Sequence, residues 1–153
     1  MEDEKFSDPI AARKKAMDYL ARREHGRTEL TAKVVKFGFD SATAADAVAR
    51  LVDDGLQSDQ RFVAVFVRSR ISQGKGPARI RADLRERGIG DQLIDRGLSE
   101  ARQNWHGLAH EVREKKFGAE CPLDFKDKAR QMRFLQSRGF EQDHIRSAVS
   151  AGR

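Results

Sequence analysis

Val34-Val35-Lys36-Phe37-Gly38-Phe39, Leu84-Arg85-Glu86-Arg87-Gly88-Ile89 and Leu135-Gln136-Ser137-Arg138-Gly139-Phe140 are three versions of one phrase. In each, an apolar residue stands four places before a glycine and another stands directly after it. Such a glycine stops a helix in the left-handed conformation that side chains disfavour, and the next residue folds back onto the last turn. One copy alone is a generic helix end. Here the likeness continues, because Ala44 and Val48, Ile94 and Leu98, and Ile145 and Val149 lie six and ten residues beyond the three glycines. That spacing suits the inner face of a following helix. The glycines are 50 and then 51 residues apart, a period that marks structural repeats. The expected fold is all-α, an elongated tandem array of three three-helix repeats, each packing mainly on its neighbours and leaving no central pocket. The expected divisions are an amino-terminal extension over 1–8 and repeats over 9–56, 57–103 and 104–153.

Local signals fill in the helices. Ser7-Asp8-Pro9 reads as a cap followed by proline at the first helical position. Ile10, Met17, Leu20 and Ala21 then share a face. Gly26 caps a second helix, with Leu30, Val34 and Phe37 expected to point inward. Ser41 opens a third, lined by Ala44, Val48, Leu51 and Val52 and ending at Gly55. Phe62, Val63, Phe66, Val67 and Ile71 have helical spacing, although the run Phe62–Val67 also fits a short buried strand. Gly74-Lys75-Gly76 interrupts the chain before Pro77 starts a helix carrying Ile80 and Leu84. Trp105, Leu108, Ala109 and Val112 mark another amphipathic helix, and a loop over 118–122 precedes helix from Phe125 to Arg138.

The chain has 153 residues, of which 35% are charged and 39% hydrophobic. Such a composition supports only a thin core, as an array of small units requires. The longest apolar run, Phe62–Val67, is far short of the roughly 20 residues that span a bilayer, and the acidic start Met1-Glu2-Asp3-Glu4 is no secretion signal. One cysteine, Cys121, permits no internal disulfide. A cytoplasmic protein with no membrane partner is expected. The net charge is +6, unevenly spread: residues 1–60 hold 10 bases and 12 acids, residues 61–100 hold 9 and 5, and residues 101–153 hold 11 and 7. From Arg61 to Ala82 there is no acid at all, while Arg61, Arg68, Arg70, Lys75, Arg79 and Arg81 fall there. An anionic partner would relieve such repulsion, as would acids from the chain's amino-terminal third.

No catalytic constellation emerges. Gly74-Lys75 lacks the spacing of a phosphate loop and has no hydroxyl after the lysine. His106, His110 and Glu114 share one side of a helix but read as a solvated row, since a firm metal site needs three or four converging ligands. Cys121 reads as a packing residue or free thiol, and no cofactor is implied. The Pro77–Arg87 helix says more. Arg79 can pair with Asp83, whereas Arg81 and Arg85 stand i, i+4 at the border of the apolar face. There they suit a carboxylate or phosphate on a partner, or acids elsewhere in the fold. Arg61, Arg68, Arg70, Lys75, Arg79, Arg81, Arg85 and Arg87 are thus the candidate contacts to a partner protein or DNA.

The run from Asp53-Asp54-Gly55-Leu56-Gln57-Ser58-Asp59-Gln60-Arg61-Phe62 through Arg68-Ser69-Arg70 to Gly74-Lys75-Gly76-Pro77 and on to Arg87-Gly88-Ile89 closely resembles the RecX family. These are bacterial regulators of the recombinase RecA. Ala21-Arg22-Arg23-Glu24-His25 with Glu29-Leu30, and Arg133-Phe134-Leu135-Gln136-Ser137-Arg138-Gly139-Phe140, extend the likeness over nearly the whole chain. It departs at Leu56, where the family usually has a tyrosine, at Gln57-Ser58, and at Gly26, where a hydroxyl cap is common. The resemblance implies tandem three-helix units that lie in the groove of the RecA–DNA filament. It implies inhibition of filament growth, ATP hydrolysis, strand exchange and co-protease activity without catalysis. A stand-alone basic DNA-binding module is the alternative reading of the same charges.

Overall fold

In the computed structural model, which describes residues 2–150, ten helices follow one another: α1 Glu2–Lys5, α2 Pro9–Arg22, α3 Arg27–Phe37, α4 Ser41–Asp53, α5 Asp59–Ser72, α6 Pro77–Glu86, α7 Asp91–Glu100, α8 Trp105–Phe117, α9 Phe125–Ser137 and α10 Gln142–Val149. No strand occurs among the described residues, and Phe62–Val67 lies inside α5. Helix starts follow their local chemistry: Asp8, Asp40, Ser58, Asn104 and Asp124 each accept a main-chain N–H with a side-chain oxygen.

Three hydrophobic clusters form, one from α2–α4, one from α5–α7 and one from α8–α10. The repeated phrase builds all three. Gly38, Gly88 and Gly139 have φ of 141°, 79° and 96°. The N–H of the residue after each donates to a carbonyl five residues back, Phe39 to Val34, Ile89 to Leu84 and Phe140 to Leu135, at 3.4, 3.1 and 3.2 Å. All twelve apolar positions of the repeat are at most 9% exposed. The exposed area, 9470 Å², is about a fifth above that of a compact monomer of this mass. An elongated array of small units accounts for the excess.

The inner face of α2 differs from the expected one. Ile10, Met17 and Ala21 are exposed, and Ala12 and Ala16 are fully buried. They pack with Ala44 and Ala47 of α4, where small side chains let the two helices approach closely. Larger residues at 12 and 16 would hold α2 away. Phe37 also points outward, 47% exposed, with its ring stacked beside Phe39 and the Lys15 ammonium 4.0 Å from its centroid.

Two joints link the units. At the first, Asp59 of α5 accepts the Arg27 N–H at 2.7 Å and so caps α3 from the next unit. The same carboxylate oxygen receives the buried Gln57 amide, whose nitrogen also donates to the His25 carbonyl. At the second, the Gly76 and Ala78 N–H groups donate to the Arg138 and Gly139 carbonyls at 2.8 and 2.9 Å. There the backbones touch. A Cβ on Gly76 would stand 2.4 Å from the Gly139 main chain, and one on Gly139 would stand 2.3 Å from the Arg79 Cβ.

At Gly88 and Gly139 a neighbouring unit packs on the capping glycine, through Thr28 and Arg79. At Gly38 of the first unit Phe6 takes that place: its ring lies where a Cβ on Gly38 would be, its carbonyl accepts the Asp40 N–H, and Ser7 bonds the Asp40 carboxylate. The extension therefore covers this face of the first unit.

Candidate functional site

The candidate cations fall into three groups around the second unit. Arg61 and Arg68 line one wall of a groove of about 660 Å³ between α5 and α7, faced by Arg96 and floored by Ala64, Leu93 and Ala101. Gly97 lets α7 approach α5 here, since a Cβ would stand 2.3 Å from a Val63 methyl. Arg61 is anchored to Glu24 at 3.2 Å and to the Gly55 carbonyl. Arg68 is exposed.

Arg81 and Arg85 form the second group, and both pair with acids of α7. Arg81 holds Asp95, and Arg85 grips both oxygens of Asp91 at 2.7 and 3.2 Å. The hydrogen bond from Arg85 keeps the Asp91 carboxyl below its usual range, and Asp91 in turn raises Arg85. Neutralisation thus comes from Asp83, Asp91 and Asp95 of the same unit. The amino-terminal third supplies Glu24, to Arg61, and Arg13 is matched within the first unit by Asp54. The charges of Arg81 and Arg85 are thus already matched inside the unit.

The third group has one acid between several cations. Arg70 and Arg79 share the Asp83 carboxylate at 3.9 and 3.4 Å. Arg87 bonds the Asp83 carbonyl, and the guanidinium groups of Arg70 and Arg87 lie 4.0 and 4.9 Å from the Phe66 ring centroid. Phe66 is therefore a covered core ring, as its spacing predicts, and no platform for a base. Lys75 sits in the turn between α5 and α6, its ammonium lowered from the ordinary lysine value by burial and then by Arg138 and Arg79. Arg138 was missed by the sequence reading. It lies some 60 residues away in the chain, and only the hydrogen bond from Gly76 to its carbonyl brings it beside Lys75.

The histidine row divides. His110 faces Glu114 at 4.0 Å, but His106 turns to α10, where its ring meets His144 edge-on at 4.7 Å and its Nε2 lies 3.5 Å from Asp143. His106, Asp143 and His144 are close enough to converge on an ion. Yet His144 Nδ1 accepts the Glu141 N–H, which leaves the proton on Nε2, the nitrogen facing Asp143. A metal there would have to displace that proton and break the cap of α10. Arg113 is the other surprise. It is fully buried and holds the 118–122 loop through the Ala119 and Glu120 carbonyls and Gln131. Cys121 is half-buried, with Sγ 3.6 Å from the Ser150 carbonyl oxygen.

Comparison with known proteins agrees with this architecture. Three family models match in order: the first three-helix domain of RecX over residues 12–51, the second over 58–98 and the third over 107–149. The regulatory protein RecX of Halorhodospira halophila is 44% identical over 141 residues, covering 92% of this chain and 88% of that one. That of Pseudomonas syringae pv. tomato is 44% identical over 142 residues, covering 93% and 92%. The crystal structure of RecX from Lactobacillus salivarius superposes with a TM-score of 0.77 at 19% identity, covering 92% of this chain and 94% of that one. A second crystal structure of regulatory protein RecX gives 0.78 at 21%, covering 92% and 70%. With three matched domains in register with three observed helical units, this chain belongs to the RecX family.

Proposed function

We propose that the protein is a non-enzymatic cytoplasmic regulator that binds the RecA–DNA filament and inhibits it, slowing filament growth, ATP hydrolysis, strand exchange and co-protease activity. Family membership supports this reading, since the relatives are named regulatory proteins. The single observation that carries it is the cationic group Arg70, Lys75, Arg79 and Arg87, gathered around one acid on the middle unit of an elongated array. A chain of small units laid along a polymer adds weak contacts by effective concentration, with no need for a deep pocket. Arg61, Arg68, Arg81 and Arg85 add further cations on the same unit, the last two paired with Asp95 and Asp91. Among the described residues no helix is long and apolar enough to cross a membrane.

The test is ATP hydrolysis by recombinase on single-stranded DNA as the protein is added. Hydrolysis should fall with dose, and Arg79→Glu should blunt the fall. Unchanged hydrolysis at excess over filament ends would refute the proposal.

A further inference from the structure

We propose that Arg70, Lys75, Arg79 and Arg138 make a phosphate site astride the joint between the second and third units, and that it takes the backbone of a single-stranded nucleic acid. The site lies within the face described under the proposed function and names its ligand. Its test needs no recombinase, so the two readings fail separately.

Three observations carry it. The first is charge bookkeeping. Arg70 and Arg79 share one carboxylate, Asp83. Lys75 lies among these groups and Arg138, and among the described residues neither Lys75 nor Arg138 reaches a carboxylate within hydrogen-bonding distance. By contrast, Arg61, Arg81, Arg85 and Arg96 of the second unit each have an acid of their own.

The second is rigidity. The main-chain bonds from Gly76 and Ala78 to Arg138 and Gly139, and the lack of room for a Cβ at either glycine, fix residue 138 against residues 76–79. The Arg70 and Arg138 guanidinium groups rest on the Phe66 and Phe134 rings at 4.0 and 4.9 Å, which limits their freedom before any ligand arrives. An anion seated here would also restore the lysine that burial and its cationic neighbours depress.

The third is the groove that opens beside it. About 430 Å³ between the two units is walled by Ile71, Val112 and Phe134 and edged by Lys115, Lys116 and Arg138. A row of cations beside an apolar wall suits a polymer with a charge on every link and an unpaired base between charges. A duplex keeps its bases stacked inside and has nothing to place there. An acidic peptide would satisfy the charges, and the experiment separates it.

The experiment measures binding of a labelled oligothymidylate to the full chain by fluorescence anisotropy across a salt series, without recombinase. Wild type should bind. Arg138→Gln and Lys75→Gln should each weaken binding several-fold and take about 0.7 from the slope of log affinity against log salt, the value for one lost single-strand phosphate contact. Arg138→Lys should recover much of the loss, and circular dichroism should show Arg138→Gln folded. Arg13→Gln removes the same charge from the first unit, where Arg13 pairs with Asp54, and should bind as wild type does. Pyrophosphate should displace the oligonucleotide and polyglutamate should not. Absence of binding, loss equal to that of Arg13→Gln, or displacement by polyglutamate as effective as by pyrophosphate would each overturn the proposal.

Discussion

At the joint between the first and second units, the open N–H groups of α3 meet a carboxylate, Asp59. At the joint between the second and third, those of α6 meet two main-chain carbonyls, of Arg138 and Gly139. Both joints answer the same need, since the first N–H groups of a helix lack partners inside it. The first joint uses side chains and leaves room: a Cβ on Gly26 would meet Phe62 and Ile89 at 3.4 and 3.5 Å, ordinary contact distances. The second uses backbone against backbone and leaves none. Ile71 and Trp105 also pack on both the second and third clusters, so these two cores are continuous. The comparison teaches that the second and third units form the stiffer pair, and the cations gathered around Asp83 lie at that stiff joint.

The largest expected difference lies between the capping glycines. Gly139→Ala combines a φ of 96° with a Cβ 2.3 Å from the Arg79 Cβ and 2.5 Å from its nitrogen. It should cost about 3–5 kcal/mol in chemical denaturation, backbone strain and overpacking together. Gly88→Ala has a similar φ of 79° but meets only the Thr28 side chain. Its expected cost is about 1–3 kcal/mol. Equal losses would show that the second joint is no tighter than the first.

Gly76→Ala and Gly26→Ala remove the φ contribution, because both glycines start helices at negative φ, -85° and -70°. Only Gly76 faces backbone, so its substitution should exceed that of Gly26 by about 1–3 kcal/mol. Asp59→Ala attacks the looser joint. It strips a cap from α3 and an acceptor from Gln57, which is 3% exposed. A loss of about 1–2 kcal/mol is expected, with faster hydrogen exchange at Arg27 and slow exchange retained at Ala78.

The smallest effect is a pH dependence at the first joint. His25 is buried, its Nδ1 3.0 Å from the Arg23 carbonyl and its Nε2 3.0 Å from the Lys33 ammonium. Burial holds its pKa below the ordinary histidine value, with the charges of Arg23 and Lys33 adding to the lowering. The unfolded chain therefore takes up this proton first as pH falls, and stability drops below about pH 6.5 until the folded-state value is passed. His25→Gln should flatten the melting temperature between pH 7 and pH 5 relative to wild type. Parallel curves would show that His25 stays neutral for other reasons or contributes nothing.

Much of the fold was legible because repetition multiplies a weak signal. One Gly38-Phe39 is a generic helix end, whereas three such phrases with matching apolar residues downstream define three units. The α2 face was illegible because burial there is decided by closeness. Ala12 and Ala16 are buried for being small, while Ile10 and Met17 stay outside despite their size. The charge pattern was half legible. The acid-free window ends just before Asp83, and Asp83 and Asp95 fold back onto it, so a count along the chain overstated the free charge. Arg138 was hidden for the opposite reason, being distant in sequence and adjacent only through a main-chain contact.

Hydrogen exchange of the full chain, free and on the recombinase filament assembled with single-stranded DNA, tests the account most directly. The expected result is slowed exchange concentrated at residues 70–87 and 134–139, with α2 and α4 unchanged. Binding that slows exchange on the first unit, and leaves those two stretches as they are in the free protein, would contradict it.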